Sequence, residues 1–113
     1  MDLGVLQADV VAFAHDREWE QFHDAKNLAM ALASEVGELN AIFRWVPTSD
    51  VEARLLDDDV RRDLGDEIGD VGILLLLLCQ RTGVDLGTAV LNKLASNAKK
   101  YPLDKARGKP DAP

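Results

Sequence analysis

Apolar residues recur at three-to-four spacing along almost the whole chain, the period of one helix face, and proline is confined to Pro47 and the stretch from Pro102 onward. This pattern predicts an all-α fold with four helices. The first runs from about Leu3 to Arg17 with Asp2 as N-cap. The second runs from about Ala25 to Trp45, with Asp24 as cap and Pro47 just beyond its end. Ser49 followed by Glu52 matches a capping box, so a third helix is expected to begin there and continue to Thr82, with Gly83 as its stop and room for a break near Asp57 to Asp59. Asp85 caps the fourth, which runs to about Tyr101 and is closed by Pro102. Residues 1–102 read as one all-α domain, and the polar, proline-containing residues 103–113 as a disordered tail.

Two of these helices carry acids where the pattern calls for apolar side chains. At about 100° per residue and with Leu28 as zero, Leu28, Leu32, Leu39, Ile42 and Phe43 form the apolar arc of the second helix, and Glu35 falls about 20° from that zero. Glu38 lies three residues on and shares the face. In the third helix Leu64, Ile68, Val71, Leu75 and Leu78 define the arc, with Glu67 inside it and Asp70 at its edge. An unpartnered carboxylate in a core-facing stripe carries a desolvation penalty of several kcal/mol. Neither segment sets a Lys or Arg at helical spacing on the acidic side, so a divalent cation is the expected neutraliser. Ligands that are all carboxylate oxygens select Mg²⁺, with Mn²⁺ as a substitute, over Zn²⁺. For one such pair a solvated surface face is the ordinary reading; two pairs, each in an apolar stripe, favour the metal.

The run Ile73-Leu74-Leu75-Leu76-Leu77-Leu78 covers every direction around its helix, and a helix apolar all round must be buried all round. Four helices of this size cannot enclose it alone, which predicts a homo-oligomer, dimer or tetramer, built through this helix. At 113 residues the chain suits a single domain with a modest core. A net charge of −7 argues against a nucleic-acid polymer or an anionic membrane as partner, since both require a cationic face. The lone cysteine, Cys79, follows the leucine run and reads as an inert core thiol in a reducing compartment. The opening residues lack the basic segment and apolar run of a signal peptide, and Ile73 to Cys79 is too short to span a bilayer, so a cytoplasmic location is expected.

Several segments, in order, resemble a known family. Arg17-Glu18-Trp19-Glu20-Gln21-Phe22-His23 resembles R-D-W-E-Q-F-H, with Asn27-Leu28 at the matching spacing. Glu35-Val36-Gly37-Glu38-Leu39, then Phe43-Arg44-Trp45, resembles E-V-G-E-L and F-Q-W, and Glu67-Ile68-Gly69-Asp70-Val71 is similar to E-x-x-D. Gly83-Val84-Asp85-Leu86, Ala89-Val90-Leu91, Lys93-Leu94, Asn97 and Tyr101-Pro102 resemble a closing helix. The family is that of the MazG-type all-α NTP pyrophosphohydrolases, in its dCTP-pyrophosphatase-like branch. The resemblance implies a four-helix MazG-like bundle completed by homo-oligomerisation. It also implies that Glu35, Glu38, Glu67 and Asp70 are Mg²⁺ ligands and catalytic residues for hydrolysis of a nucleoside triphosphate to monophosphate and pyrophosphate.

Four carboxylates match two Mg²⁺ ions in charge and leave coordination sites for phosphate and water. Glu38, at the rim of the arc beside Trp45, is the candidate for taking the water's proton. Lys93 and Asn97, four apart, with Lys100 and Tyr101 one turn on, are candidates for triphosphate and sugar; compensation of the helix dipole is the competing role of the lysines. Trp19 and Trp45 offer flat surfaces for a base or serve as core tryptophans, and His23 either contacts substrate or caps the second helix. The chain departs from the family with Ala41 where a further glutamate is common, and with Val10 and Leu74 in place of the branch's histidine and tyrosine. Those losses spare the metal ligands and bear on base and sugar preference. The competing readings are a phosphoribosyl-ATP pyrophosphohydrolase and a non-catalytic helical interaction module. A di-iron bundle needs E-x-x-H pairs, which His15 and His23 do not form.

Overall fold

A computed structural model describes residues 1–109, and every regular element among them is helical. Helix α1 spans Leu3–Asp16, α2 Ala25–Phe43, α3 Val51–Arg54, α4 Asp58–Thr82, α5 Leu86–Lys100 and α6 Leu103–Ala106, with short 3-10 turns at Glu20–Phe22 and Thr48–Asp50. The chain divides into two compact units, Met1–Gly83 and the part from Val84 onward. Within the tail expected from residue 103, Leu103–Ala106 forms one helical turn, and residues 110–113 lie outside the described part.

Aspartates start the long helices. Each accepts a hydrogen bond from an otherwise unpaired first-turn N–H: Asp2 from Val5, Asp24 from Asn27, and Asp85 from Thr88. The Thr88 backbone N–H, and after it the Thr88 side chain, hold the Asp85 carboxyl below its usual range. The capping box at Ser49 and Glu52 does not open the long helix. It lies beside the single turn α3, whose cap residue Asp50 makes no side-chain cap bond. The chain breaks after Arg54 and restarts where Asp57 caps both Asp59 N and Val60 N, with Asp58 and Asp59 in the first turn facing the positive end of the dipole. Gly83, at φ 73°, takes the left-handed position that ends α4, and its N–H donates to the Cys79 carbonyl.

Within the first unit α2 pairs most extensively with α4, and α1 packs on α4 beside it. Leu28 joins Leu77 and Ala14 in the core, whereas Glu35 meets Glu67, so the order along α2 runs opposite to that along α4. Val10, Val11, Leu74 and Leu78 pack around that core, and Gln7 Nε2 donates to the Leu76 carbonyl at 3.1 Å. Among the described residues the buried apolar side chains are Ala14, Leu28, Leu76, Leu77 and Cys79. The leucine run is therefore buried on one side only: Leu74, Leu75 and Leu78 are half-buried, and Ile73 is 43% exposed. No single helix among the described residues is long and apolar enough to cross a membrane.

Candidate active site

Helices α2 and α4 bring three of the four expected acids together. Glu35 and Glu38 stand one turn apart on α2, Glu67 faces them from α4, and one carboxylate oxygen from each lies within 4.8 Å of the others. Asp70 is not part of this group; it is exposed, three residues beyond Glu67 on α4. Glu35 and Glu67 are half-buried, as their places in the apolar arcs predict, and Glu38 is exposed at the rim.

Glu35 Oε2 and Glu67 Oε2 are buried without any hydrogen-bond partner. A buried polar atom left unpaired is costly, and a charged one more so. The Glu67 carboxyl is accordingly pushed up to about 7, first by burial, then by hydrogen bonding with Glu35, and further by the negative charge of Glu38 and Glu35. A divalent cation would relieve the crowding, because one oxygen from each of the three acids is placed to face it. The donors are oxygen only and two of them lack any partner, so the residues fit a hard cation.

About 10 Å further along α4, seven residues on from Glu67, Leu74 enters the wall of a cavity of about 320 Å³. The wall is almost wholly apolar, built by α1 (Val10, Phe13), the turn after it (Trp19, His23) and α4 (Ile73, Leu74, Leu77). The turn is held tightly. Glu18 adopts φ 57°, the left-handed region, which lets Trp19 N–H donate to the Ala14 carbonyl and reverses the chain. Trp19 then meets Phe13 edge to face at 5.8 Å and His23 edge to face at 6.5 Å. Asn27 Nδ2 donates to the Phe22 carbonyl and ties the turn to α2.

Trp19 is thus a cavity wall, not a core residue, and His23 lines the same cavity, while the cap of α2 is Asp24. Trp45 does not line it: the ring is 83% exposed, with the Arg44 guanidinium 5.3 Å from its centroid. Lys93, Asn97, Lys100 and Tyr101 belong to the second unit. There Lys93 is exposed, Asn97 and Tyr101 are half-buried, and Lys100 Nζ sits 5.4 Å from the Tyr101 ring centroid. Sequence reading missed Asp9 and Phe13 as cavity residues. Their spacing, four apart on α1, was the available signal, but nothing in the pattern marks where α1 meets the turn that follows it.

Residues 30–110 match the MazG-like family, and the chain belongs to it, as its motifs led us to expect. Among curated proteins it is 42% identical over 96 residues to dCTP pyrophosphatase 1 of Bos taurus, which covers 85% of this chain and 57% of that protein. It is also 42% identical over 95 residues to dCTP pyrophosphatase 1 of Homo sapiens, covering 84% and 56% respectively. The chain therefore spans little more than half the length of these relatives. A crystal structure of a pyrophosphatase from Archaeoglobus fulgidus DSM 4304 shares the fold with a TM-score of 0.81 and 36% identity, over 88% of this chain and 92% of that one.

Proposed function

We propose that this chain is a Mg²⁺-dependent nucleoside triphosphate pyrophosphohydrolase. It cleaves a dNTP, with dCTP or a modified dCTP preferred, to dNMP and pyrophosphate by attack of water at the α-phosphate. The observation that carries this reading is the convergence of Glu35, Glu38 and Glu67 with two buried, unpartnered oxygens. Membership of the MazG-like family and similarity to dCTP pyrophosphatase 1 support the substrate class.

In this reading Glu35, Glu38 and Glu67 hold Mg²⁺, and Asp70, one turn beyond Glu67, joins them as a fourth ligand. The bound ion supplies positive charge for the phosphate oxygens and lowers the pKa of a water. Glu38, at the rim, accepts the proton of the attacking water. The apolar cavity takes the base, with Trp19 as its flat wall and His23 as a hydrogen-bonding edge. The distance from cavity to acids along α4 is on the scale of a nucleotide. Lys93, Asn97, Lys100 and Tyr101 are assigned to triphosphate and sugar, and exposed Trp45 to the base.

The reading includes a homo-oligomer and excludes a nucleic-acid polymer or membrane as partner. Half-exposed Ile68, between Glu67 and Asp70, and Ile73, at the start of the leucine run, support an interface along α4, since one chain leaves that run incompletely covered. A melting temperature that rises with protein concentration, together with a sedimentation coefficient above that of a monomer, is the expected outcome.

The decisive experiment is a panel of dCTP, the other dNTPs and phosphoribosyl-ATP with Mg²⁺, resolving pyrophosphate from phosphate. Pyrophosphate and dNMP, fastest from dCTP, are expected. Phosphate alone moves the chemistry to the terminal phosphate, and a preference for phosphoribosyl-ATP supports the other hydrolase. If Glu38→Gln leaves Mg²⁺ binding unchanged, a non-catalytic interaction module is the better description.

A further inference from the structure

We propose that Asp9 is a specificity residue of the apolar cavity: its carboxylate accepts a hydrogen bond from the exocyclic amine of a nucleobase and disfavours bases that carry a carbonyl at that position. The inference rests on the cavity being the base site, as argued above. In a wall otherwise built from aliphatic and aromatic side chains, only Asp9, His23 and the Trp19 indole offer polar atoms. Their hydrogen-bonding capacities differ. An ionised Asp9 only accepts, the Trp19 N–H only donates, and His23 does either according to tautomer.

An aminopyrimidine presents the complementary set, with an amine that donates next to a ring nitrogen and a carbonyl that accept. Asp or Glu accepting from the cytosine amine is one of the recurring pairings by which proteins read that base. A uracil or thymine ring in the same pose turns its carbonyl oxygen toward the carboxylate, acceptor against acceptor. Asp9 is available for this work. Among the described residues its side chain takes part in neither of the two ion pairs, His15 with Glu20 and Arg62 with Asp59, and it caps no helix. It lines the cavity one turn before Phe13 on the same face of α1, so its side chain leaves the helix on the side of the aromatic part of the wall. Asp9 is exposed, which limits the discrimination from one such bond to about tenfold.

The test is calorimetric titration of the full chain with dCMP and dUMP, which reports on the cavity whether or not triphosphates turn over. The wild-type protein is expected to bind dCMP about tenfold more tightly than dUMP. Asp9→Ala brings the ratio close to one. Asp9→Asn, nearly isosteric and able to turn its amide NH₂ toward a carbonyl, moves the ratio toward dUMP. A wild-type ratio near one, or a ratio that Asp9→Ala leaves intact, overturns the assignment. So does an equal loss of both ligands in Asp9→Ala, which signifies a contact to the sugar or a structural role, or a failure of the wild type to bind either monophosphate. Failure of the hydrolase reading is separable. A chain that releases no pyrophosphate from any triphosphate, yet loses its dCMP preference on Asp9→Ala, retains the base contact without the catalysis.

Discussion

The two halves of α4 obey opposite rules. From Asp58 to Asp70 the helix carries six acids, has glycine at Gly65 and Gly69, and buries no side chain fully. From Val71 to Thr82 it carries no acid, and it supplies Leu76, Leu77 and Cys79 to the core. Both halves pack against α2, yet the first half meets its partner with carboxylate against carboxylate and the second with Leu77 near Leu28. The contrast shows where stability and chemistry reside. The apolar half makes the fold favourable enough to hold the acidic half's carboxylates together against their repulsion, and on α4 the cavity is walled by the apolar half alone.

The acidic half is tested by neutralising a ligand. Glu67→Gln or Glu35→Gln is expected to lower Mg²⁺-dependent pyrophosphate release by about 100-fold or more, since each removes a charge that the ion requires, while the circular dichroism spectrum stays helical. A variant that keeps wild-type turnover removes the acidic half from the chemistry.

The apolar half is tested by making a hole. Leu77, 7% exposed between Ala14 and Leu28, is expected to cost about 2–5 kcal/mol when replaced by alanine, read as a shift of the denaturant midpoint. Added Mg²⁺ raises the midpoint of wild type and Leu77→Ala alike, because the ion site is on the other half. If the loss is below about 1 kcal/mol, the core as described is not what holds α1, α2 and α4 together.

Much of this division is legible in the sequence. Helical period, aspartate caps and the placement of Glu35 and Glu67 inside apolar arcs follow from local spacing, and the structure agrees on each. The start of α4 is not, because two capping signals compete within a few residues and only the chain's return path chooses Asp57 over Ser49. The cavity is less legible still. It depends on Glu18 taking a left-handed conformation that sequence does not announce for glutamate, and on α1 and α4 meeting at a particular register. Asp9 looks like any solvated helix residue until that register is known.

A smaller effect follows from the raised Glu67 carboxyl. The unfolded chain releases this proton near pH 4.5 and the metal-free native protein near pH 7, so the native state binds more protons in between. Stability contributed by this group therefore falls as pH rises from about 4.5 to 7 and is constant above that. Glu67→Gln lacks the titration. Its metal-free melting temperature is expected to match wild type near pH 4.5 and to exceed it increasingly up to pH 7, with the gap closing once Mg²⁺ is added to wild type. Mg²⁺ affinity of the wild type rises over the same interval, because binding displaces the proton. A gap that shrinks with rising pH contradicts the burial and repulsion invoked at this site.

The smallest effect concerns the turn that brings Trp19 to the cavity. Glu18 at φ 57° costs roughly 1 kcal/mol relative to an ordinary backbone conformation, and asparagine tolerates this region better than glutamate does. The side chain makes no contact that the turn needs: the Glu18 carbonyl accepts from Gln21 Nε2, and its N–H donates to the His15 carbonyl, both through backbone atoms that any residue provides. Glu18→Asn is therefore expected to raise stability by a few tenths of a kcal/mol, whereas Glu18→Ala, with no such tolerance, gives no gain. Both should leave dCMP affinity unchanged, since the turn still presents Trp19 to the cavity. A loss of affinity in Glu18→Asn at unchanged or higher stability means that the glutamate side chain itself reaches the ligand, and the boundary between holding the fold and holding the base then runs through this turn.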